Sequence, residues 1–192
     1  MIAILDQLRE HQEIIATLEG QVGLMETVAR KMTDSLLQGG KILWLGNGGS
    51  AADSQHLCAE LVSRLTRERR ALASIALTTD TSILTAVGND YSFERIFARQ
   101  VEALASPGDV VVGISTSGQS PNVIAAMRTA RAIGAITIGF AGRNGGALLH
   151  EVDHCLVVST PSPARAQEGH ILIGHILCDW IEAAVMASPG HV

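Results

Sequence analysis

Five short apolar runs separated by helix-like stretches place the strongest constraint on the fold of this chain. After Gly40, the runs at 41–46, 73–77, 109–115, 135–141 and 155–159 are rich in Val, Ile and Leu at odd and even positions alike. This two-sided hydrophobicity is typical of parallel strands buried between helices. Helices are predicted at 50–65, 82–87, 93–105, 121–133 and about 165–187. The alternation predicts an α/β fold, a doubly wound five-stranded parallel sheet of the flavodoxin-like type.

The first 39 residues carry a different pattern, in which apolar side chains recur at helical spacing. The members are Leu8, Ile15, Leu18, Val22, Met25, Ala29, Met32 and Leu36, and they form a heptad-like seam. Gly20 and Gly23 interrupt it, which indicates two helices or one bent helix, ending at a C-cap at Gly39 and Gly40. A seam of this length favours packing against copies of the chain over covering its own core. We therefore expect a single domain over 1–192, with oligomerisation helices at 1–39 and the α/β core at 40–192.

Composition excludes several classes of protein. The 192 residues are 47% apolar, which is enough for a sizeable core, and 14 Lys and Arg against 19 Asp and Glu give a net charge of -5. A nucleic-acid partner is therefore not expected. Cys58, Cys155 and Cys178 are too few and too scattered for a disulfide framework. The chain shows no signal-peptide pattern and no apolar run of spanning length, so we expect a cytoplasmic protein without a membrane partner.

The first candidate binding loop follows the first predicted strand. Residues 46–51 read Gly-Asn-Gly-Gly-Ser-Ala and match the G-x-G-x-x-A pattern of dinucleotide folds. The acidic residue that those folds carry about 20 residues later is missing, because Asp80 lies too far downstream. Glycines allow close approach to the backbone, and a helix N-terminus favours an anion. NAD is thus the weaker interpretation, and a tight turn with Ser50 as N-cap remains the plainer alternative.

The second candidate loop follows the third predicted strand. Residues 115–120 read Ser-Thr-Ser-Gly-Gln-Ser, with Ser120 placed as N-cap and Pro121 at the first helical position. Four hydroxyls at a helix N-terminus can hold a phosphate without a lysine, although a turn bonded to its own backbone would have the same composition. Neither loop carries the lysine of a Walker A motif, so nucleotide hydrolysis is not expected. Two such loops in one domain favour a phosphorylated small molecule.

Ionisable side chains recur on two of the predicted helices. His56 and Glu60 share one helix face, because they are four residues apart. The final helix carries Gln167, Glu168, His170, His175 and Asp179. At 100° per residue, Glu168 and His175 lie roughly 20° apart and Gln167 and His175 roughly 80° apart, so spacing alone selects Glu168. A histidine on an apolar helix is more often a core residue than a ligand.

Two polar groups have plain structural interpretations. The arginines Arg64, Arg67, Arg69 and Arg70 are assigned mainly to a solvated face that could attract an anionic substrate. Asn89 and Asp90 are first of all a turn signal, and recognition of sugar hydroxyls is their functional alternative.

Together these segments resemble the sugar isomerase (SIS) domain family and, within it, the phosphoheptose isomerases. The resemblance runs from about residue 40 to residue 182. It rests on GNGGSAADSQH at 46–56 with Glu60, LTTD and VGNDYSFERIF within 77–97, GDVVVGISTSGQSPNV at 108–123, and QEGHILIGHILCDWIE at 167–182. It implies conversion of D-sedoheptulose 7-phosphate to D-glycero-D-manno-heptose 7-phosphate through an enediol, in heptose biosynthesis such as that of lipopolysaccharide.

The resemblance also implies roles for individual residues. Glu60 and His175 would transfer protons, and Gln167 rather than Glu168 would face inward. The implied ligands of one Zn²⁺ ion per subunit are His56, Glu60, Gln167 and His175. The implied substrate-binding residues are Asn47, Gly48, Gly49, Ser50, Asn89, Asp90, Ser115, Thr116, Ser117, Ser120 and Gln167.

Three further expectations follow from the resemblance. The N-terminal helices would assemble a homotetramer with active sites at subunit interfaces. Some relatives carry an acidic residue where Ala164 stands here, so contacts to the distal sugar hydroxyls should differ. The same fold serves non-catalytic binding proteins of the DiaA type, which look like relatives lacking the acid and base at the positions of Glu60 and His175. This sequence has both, which favours an enzyme.

Overall fold

A parallel sheet of five strands forms the centre of the computed structural model, which describes residues 3–188. The strands are β1 (Ile42–Gly46), β2 (Ser74–Ala76), β3 (Val110–Ser115), β4 (Ile136–Gly142) and β5 (His154–Val158). Their order is β2-β1-β3-β4-β5, and every neighbouring pair is parallel. All residues of β1 and β3 are buried, which explains why these strands are continuous apolar runs in the sequence. The predicted fold class is confirmed.

Eight α-helices surround the sheet in the described part of the chain. They are α1 (Ile4–Thr17), α2 (Val22–Leu37), α3 (Gly49–Val62), α4 (Thr81–Asp90), α5 (Ala98–Leu104), α6 (Pro121–Ile133), α7 (Leu148–Glu151) and α8 (Pro163–Ala187). One apolar core joins one face of the sheet to α2, α3 and α8, and a second joins the opposite face to α5 and α6. The sheet is therefore covered on both sides, as a doubly wound fold requires.

The predicted helix at 93–105 is wrong in its first part. Phe93–Arg95 form a 3₁₀ turn, and α5 begins only at Ala98. Ile96 and Phe97, which are adjacent in sequence, are both buried in the second core. A continuous helix would point these neighbours about 100° apart, so the break lets both reach the core.

The N-terminal segment forms two helices, one of the two arrangements that the glycines indicate. A 3₁₀ turn at Leu18–Gln21 separates α1 from α2, and Gly39 adopts a φ of +86° just after α2. The two halves of the apolar seam differ in burial. Its second half, Met25, Ala29, Met32 and Leu36, is buried in the chain's own core. These side chains therefore help to cover the chain's own core, whereas Leu8 and Val22 remain exposed.

The final helix α8 is the central support of the first core. Among residues 3–188, it is the one helix long and apolar enough by length and composition to cross a membrane. Core helices of globular proteins pass the same test, and here Ile173, Leu177 and Ile181 are buried against α2 and α3. The composition of α8 is thus explained by its position inside the fold.

His170 places an ionisable ring inside this core. Its side chain is fully buried beside Phe140, with ring centroids 6.0 Å apart, and neither ring nitrogen has a hydrogen-bond partner within residues 3–188. Desolvation lowers the pKa of His170 to about 4. The Ala141 backbone opposes this weakly, because its approach does not reach the geometry of a full hydrogen bond. The imidazole is therefore neutral in the native state at physiological pH.

We expect His170 to make the fold acid-sensitive. An unfolded histidine has a pKa of about 6.5, so between that pH and about 4 the unfolded state binds a proton that the native state excludes. The free energy of unfolding should therefore fall as the pH drops through this range, and the His170→Leu variant should lose this component. Urea denaturation in the presence of a chelator measures both proteins without a contribution from metal binding.

The control is His150→Leu, because His150 is exposed on α7. This variant should keep the wild-type pH dependence. Equal pH dependence in the His170→Leu variant and the wild type would contradict the assignment.

Candidate active site

Two loops at the carboxyl ends of β1 and β3 define the candidate site. These strands are neighbours in the sheet, and the strand order reverses between them. Ligands bind at such a switch point in open parallel sheets, because the loops on either side diverge and leave a crevice. The first loop, 46–49, leads into α3, and the second, 115–120, leads into α6.

The first loop requires glycine at position 48 and packs closely against another helix at Gly49. Gly48 has a φ of +56° and is the N-cap of α3, which begins at Gly49. Ser50 therefore lies inside the first turn and is buried, so its prediction as N-cap is wrong. A Cβ atom on Gly49 would collide with the side-chain amide of Gln167 on α8. The loop thus lies directly against the final helix.

The second loop gathers hydroxyl groups at the N-terminus of α6. The Oγ atom of Ser115 lies 2.9 Å from that of Ser120 and 3.3 Å from that of Ser117. Ser120 is at the N-cap position with Pro121 following, as predicted, but its side chain makes no capping hydrogen bond. Thr116 is half-buried in the same loop. Hydroxyls that can rotate toward a guest, next to a helix N-terminus, suit an anion such as phosphate.

Two histidines and a glutamate meet where α8 crosses α3. His56 Nε2 lies 2.8 Å from His175 Nε2 and 3.4 Å from Glu60 Oε1. One candidate ligand atom from each residue lies within 4.8 Å of the other two. Facing imidazole lone pairs repel unless a proton or a metal ion lies between them. Two imidazoles and a carboxylate are a donor set that Zn²⁺ accepts, so these side chains fit the expected metal.

Gln167 lies on α8 eight residues before His175 and is held by Asp53 of α3. Its Nε2 atom donates to Asp53 Oδ1 at 3.2 Å, whereas Asp53 Oδ2 is buried without a partner among residues 3–188. Desolvation raises the pKa of Asp53, against the hydrogen bond from Gln167 and the charge of His56. Glu168 instead bonds His11 Nδ1 of α1 at 2.6 Å. The spacing argument for Glu168 is therefore wrong, because Glu168 lies against α1.

A buried ion pair, which the sequence interpretation missed, ties α3 to α8. The side chains of Arg69 and Glu182 are both fully buried, with 3.1 Å between Arg69 Nη2 and Glu182 Oε1. Arg69 donates to the backbone carbonyls of Glu60, Leu61 and Ser63 at the end of α3. The assignment of the arginines to a solvated face is wrong for Arg69, because the terminal carbonyls of a helix need donors.

Glu182 is the α8 partner in this buried ion pair. Its carboxylate accepts hydrogen bonds from the backbone N–H groups of Leu65, Thr66 and Arg67. Desolvation acts to raise the pKa of Glu182, but these N–H groups and Arg69 outweigh it, and the pKa is lowered. The group therefore remains a carboxylate. A glutamate seven residues after His175 on an apolar helix is the signal from which the sequence could have suggested a buried partner.

Among residues 3–188, Asn89 and Asp90 make no hydrogen bond to either loop. They are the last two residues of α4, so the turn prediction is wrong for them. Both are exposed, and Asn89 Nδ2 donates to Asp90 Oδ1 at 2.8 Å. Ala164 is exposed in the first turn of α8. A role for Asn89 or Asp90 in binding stays a prediction.

Comparison with known proteins identifies the family. A family model described as SIS domain matches residues 7–142. Phosphoheptose isomerase of Paramagnetospirillum magneticum is 54% identical over 184 residues, which cover 95% of this chain and 95% of that protein. The chain belongs to the phosphoheptose isomerases of the SIS domain family. Another member, from Roseiflexus sp. strain RS-1, is 56% identical over 166 residues, covering 86% of this chain and 84% of the relative.

A solved structure of the family agrees with the fold. The phosphoheptose isomerase GmhA from Neisseria gonorrhoeae superposes with a TM-score of 0.89 at 43% identity, covering 94% of this chain and 97% of that one. The family resemblance predicted from the motifs is thus confirmed. Since the match extends over nearly the whole chain, it includes α8 as well as both loops.

We expect the Glu182→Gln substitution to destabilise the protein strongly. It leaves the buried guanidinium of Arg69 without its countercharge, and breaking a buried pair in this way costs about 3–5 kcal/mol. Urea denaturation followed by circular dichroism measures the loss.

The matched control is Glu68→Gln, which removes an exposed carboxylate 3.6 Å from Arg64. Exposed pairs contribute about 0–1 kcal/mol, so this variant should unfold nearly as the wild type does. Similar stability losses in the two variants would show that the Arg69–Glu182 pair does not secure the crossing of α3 and α8.

Proposed function

We propose that this chain is an aldose–ketose isomerase that converts D-sedoheptulose 7-phosphate to D-glycero-D-manno-heptose 7-phosphate. The observation that carries the proposal is the meeting of Glu60 and His175, from two different helices, in a fold that also holds a hydroxyl-lined loop at the N-terminus of α6. Relatives at 54–56% identity named phosphoheptose isomerase support it. The reaction serves heptose biosynthesis, such as that of lipopolysaccharide, in the cytoplasm.

The substrate phosphate binds in the second loop. Ser115, Thr116, Ser117 and Ser120 surround it, and the N-terminus of α6 adds its positive dipole. The sugar then extends toward the first loop, along Asn47, Gly48, Gly49 and Ser50, with Gln167 on the opposite side. Asn89 and Asp90, exposed at the end of α4, contact sugar hydroxyls from a neighbouring subunit.

Isomerisation moves one proton between adjacent carbons. A base removes the proton from the carbon next to the carbonyl, an acid protonates the carbonyl oxygen, and the resulting enediol collapses with the two roles reversed. Glu60, whose side chain is 17% exposed against 49% for His56, is the shielded carboxylate and takes the carbon-bound proton. His175 handles the proton on oxygen. An acid and a base on separate helices can thus serve both ends of the reacting bond.

One Zn²⁺ ion per subunit fits the same cluster. His56, Glu60 and His175 would hold it, with Gln167, eight residues before His175 on α8, as a fourth ligand. When bound, the metal would polarise a carbonyl oxygen as a Lewis acid. A carboxylate that binds a metal is a weaker base. Glu60 can therefore act as the base only when the other ligands hold the ion without it.

The apolar surface of α1, α2 and α8 is covered in a homotetramer. Val22, Ile176 and Trp180 are 50%, 44% and 38% exposed, and they line one groove together with Met25 and Ala29. Contiguous exposed apolar side chains of this kind mark protein interfaces. Ile176 directly follows His175, so a subunit seated in the groove would lie next to the site and help to exclude water from it.

The catalytic pair is tested by Glu60→Gln and His175→Gln. Each should lower kcat by at least about 100-fold, because a positioned acid or base contributes about 10²–10⁴-fold. Glu68→Gln and His150→Gln change exposed residues of the same types and should retain turnover. The assay follows aldose formation from sedoheptulose 7-phosphate. Near wild-type turnover in either site variant would reject the assignment, and an inactive wild type that still binds the sugar phosphate would favour a binding protein.

Phosphate binding by the second loop, residues 115–120, is tested by combining Ser117→Ala with Ser120→Ala. Two hydroxyls lost from an anion site should raise KM about 100-fold or more and change kcat less, since each hydrogen bond to a charged group contributes about 1.5–3 kcal/mol. Ser106→Ala, on an exposed loop, is the control. An unchanged KM in the double variant would place the phosphate elsewhere.

The metal is tested by elemental analysis of protein purified without chelator. We expect about one zinc per chain in the wild type and in His150→Gln, and a clear loss in His56→Gln, because His56 supplies one of the three clustered ligand atoms. Zinc-free wild-type protein with full turnover would contradict the proposed cofactor.

A further inference from the structure

Two asparagines join the loops of the active site by a reciprocal pair of hydrogen bonds. Asn47 Nδ2 donates to Asn122 Oδ1 at 2.8 Å, and Asn122 Nδ2 donates to Asn47 Oδ1 at 2.8 Å. Asn47 belongs to the first loop, and Asn122 is the second residue of α6, directly after the second loop. Asn122 is 2% exposed. The pair therefore joins the two loops just beyond the paired ends of β1 and β3.

The orientation of both amides is fixed by the backbone. Val123 N–H donates to Asn122 Oδ1 at 3.0 Å, and a backbone N–H can only donate. The oxygen of Asn122 must therefore face this group, which turns its nitrogen toward the oxygen of Asn47. Asn47 then keeps one N–H and one lone pair unused, and its side chain is only partly buried. These free positions are available to a ligand in one defined arrangement.

We propose that Asn122 is a positioning residue, which presents the Asn47 amide to the sugar and sets the separation of the two loops. The inference rests on the proposed function, in which Asn47 contacts the substrate. Asn47, Ser120 and Asn122 line one cavity together with Glu94, so the pair adjoins the phosphate loop itself. To hold the Asn47 amide in this orientation, residue 122 must offer a donor and an acceptor side by side. No apolar side chain or ionised carboxylate offers both.

A double-mutant cycle on KM tests whether Asn122 acts through Asn47. The proteins are wild type, Asn122→Ala, Asn47→Ala and the double variant, assayed with sedoheptulose 7-phosphate. We expect Asn122→Ala to raise KM about tenfold in the wild type, with a smaller change in kcat, and less than about twofold in the Asn47→Ala background. A purely structural role would move the melting temperature equally in both backgrounds and would leave the effects on KM additive.

Two variants serve as controls for the cycle. Asn144→Ala removes an exposed asparagine and should leave KM unchanged. Asn122→Asp keeps the side-chain volume but places a carboxylate oxygen against Asn47 Oδ1, so it should raise KM as Asn122→Ala does, and it replaces that variant if the alanine protein does not fold. Wild-type KM in the folded Asn122 variants, or a tenfold effect in both backgrounds, would overturn the inference.

Failure of the proposed function gives a different result. A wild-type protein without turnover rejects the isomerase, and the cycle is then read from the shift in melting temperature that sedoheptulose 7-phosphate induces in each protein. A shift that depends on Asn122 only when Asn47 is present supports the positioning role. Absence of any ligand-induced shift in the wild type overturns both proposals.

Discussion

The close crossing of α8 over α3 is the constraint on which the rest of the site depends. A Cβ atom on Gly174 would lie 2.5 Å from the Leu57 side chain, and one on Gly49 would overlap the Gln167 amide, so side chains of each helix pack directly on the backbone of the other. The buried Arg69–Glu182 pair closes the far end of the crossing. Between these contacts, Glu60 and His175, 115 positions apart in sequence, reach the same point. The chemistry thus follows from helix packing, because neither helix alone holds both groups.

The sheet provides the second condition, a fixed separation between two loops. Parallel register places the ends of β1 and β3 side by side, with Gly46 paired to Ile114, so the loops that follow start from adjacent points. The Asn47–Asn122 amides then hold them together beyond the sheet. The sheet and this amide pair therefore fix the separation of the two loops.

The sequence predicts those parts of this arrangement that depend on local pattern. Buried strands carry continuous apolar runs, and glycine at position 48 marks a backbone conformation that other residues avoid, so the sheet and both loops could be located in advance. Contacts between segments that are far apart in the sequence could not be predicted in this way. The burial of Arg69 depends on Glu182, more than 100 residues later, and the surroundings of Glu168 on α8 depend on where α1 lies. The seam of α2 likewise fits its own core and a second copy equally well until the position of α8 is known.

The central claim is that a paired acid and base move a proton through an enediol, and isomerisation in D₂O tests it most directly. An enediol formed by proton removal exchanges with solvent, so over many turnovers the account predicts deuterium on carbon in the recovered sugar phosphate, detected by mass spectrometry and located by NMR. Product formed without any carbon-bound deuterium would indicate that hydrogen passes directly between the carbons, and would contradict the account.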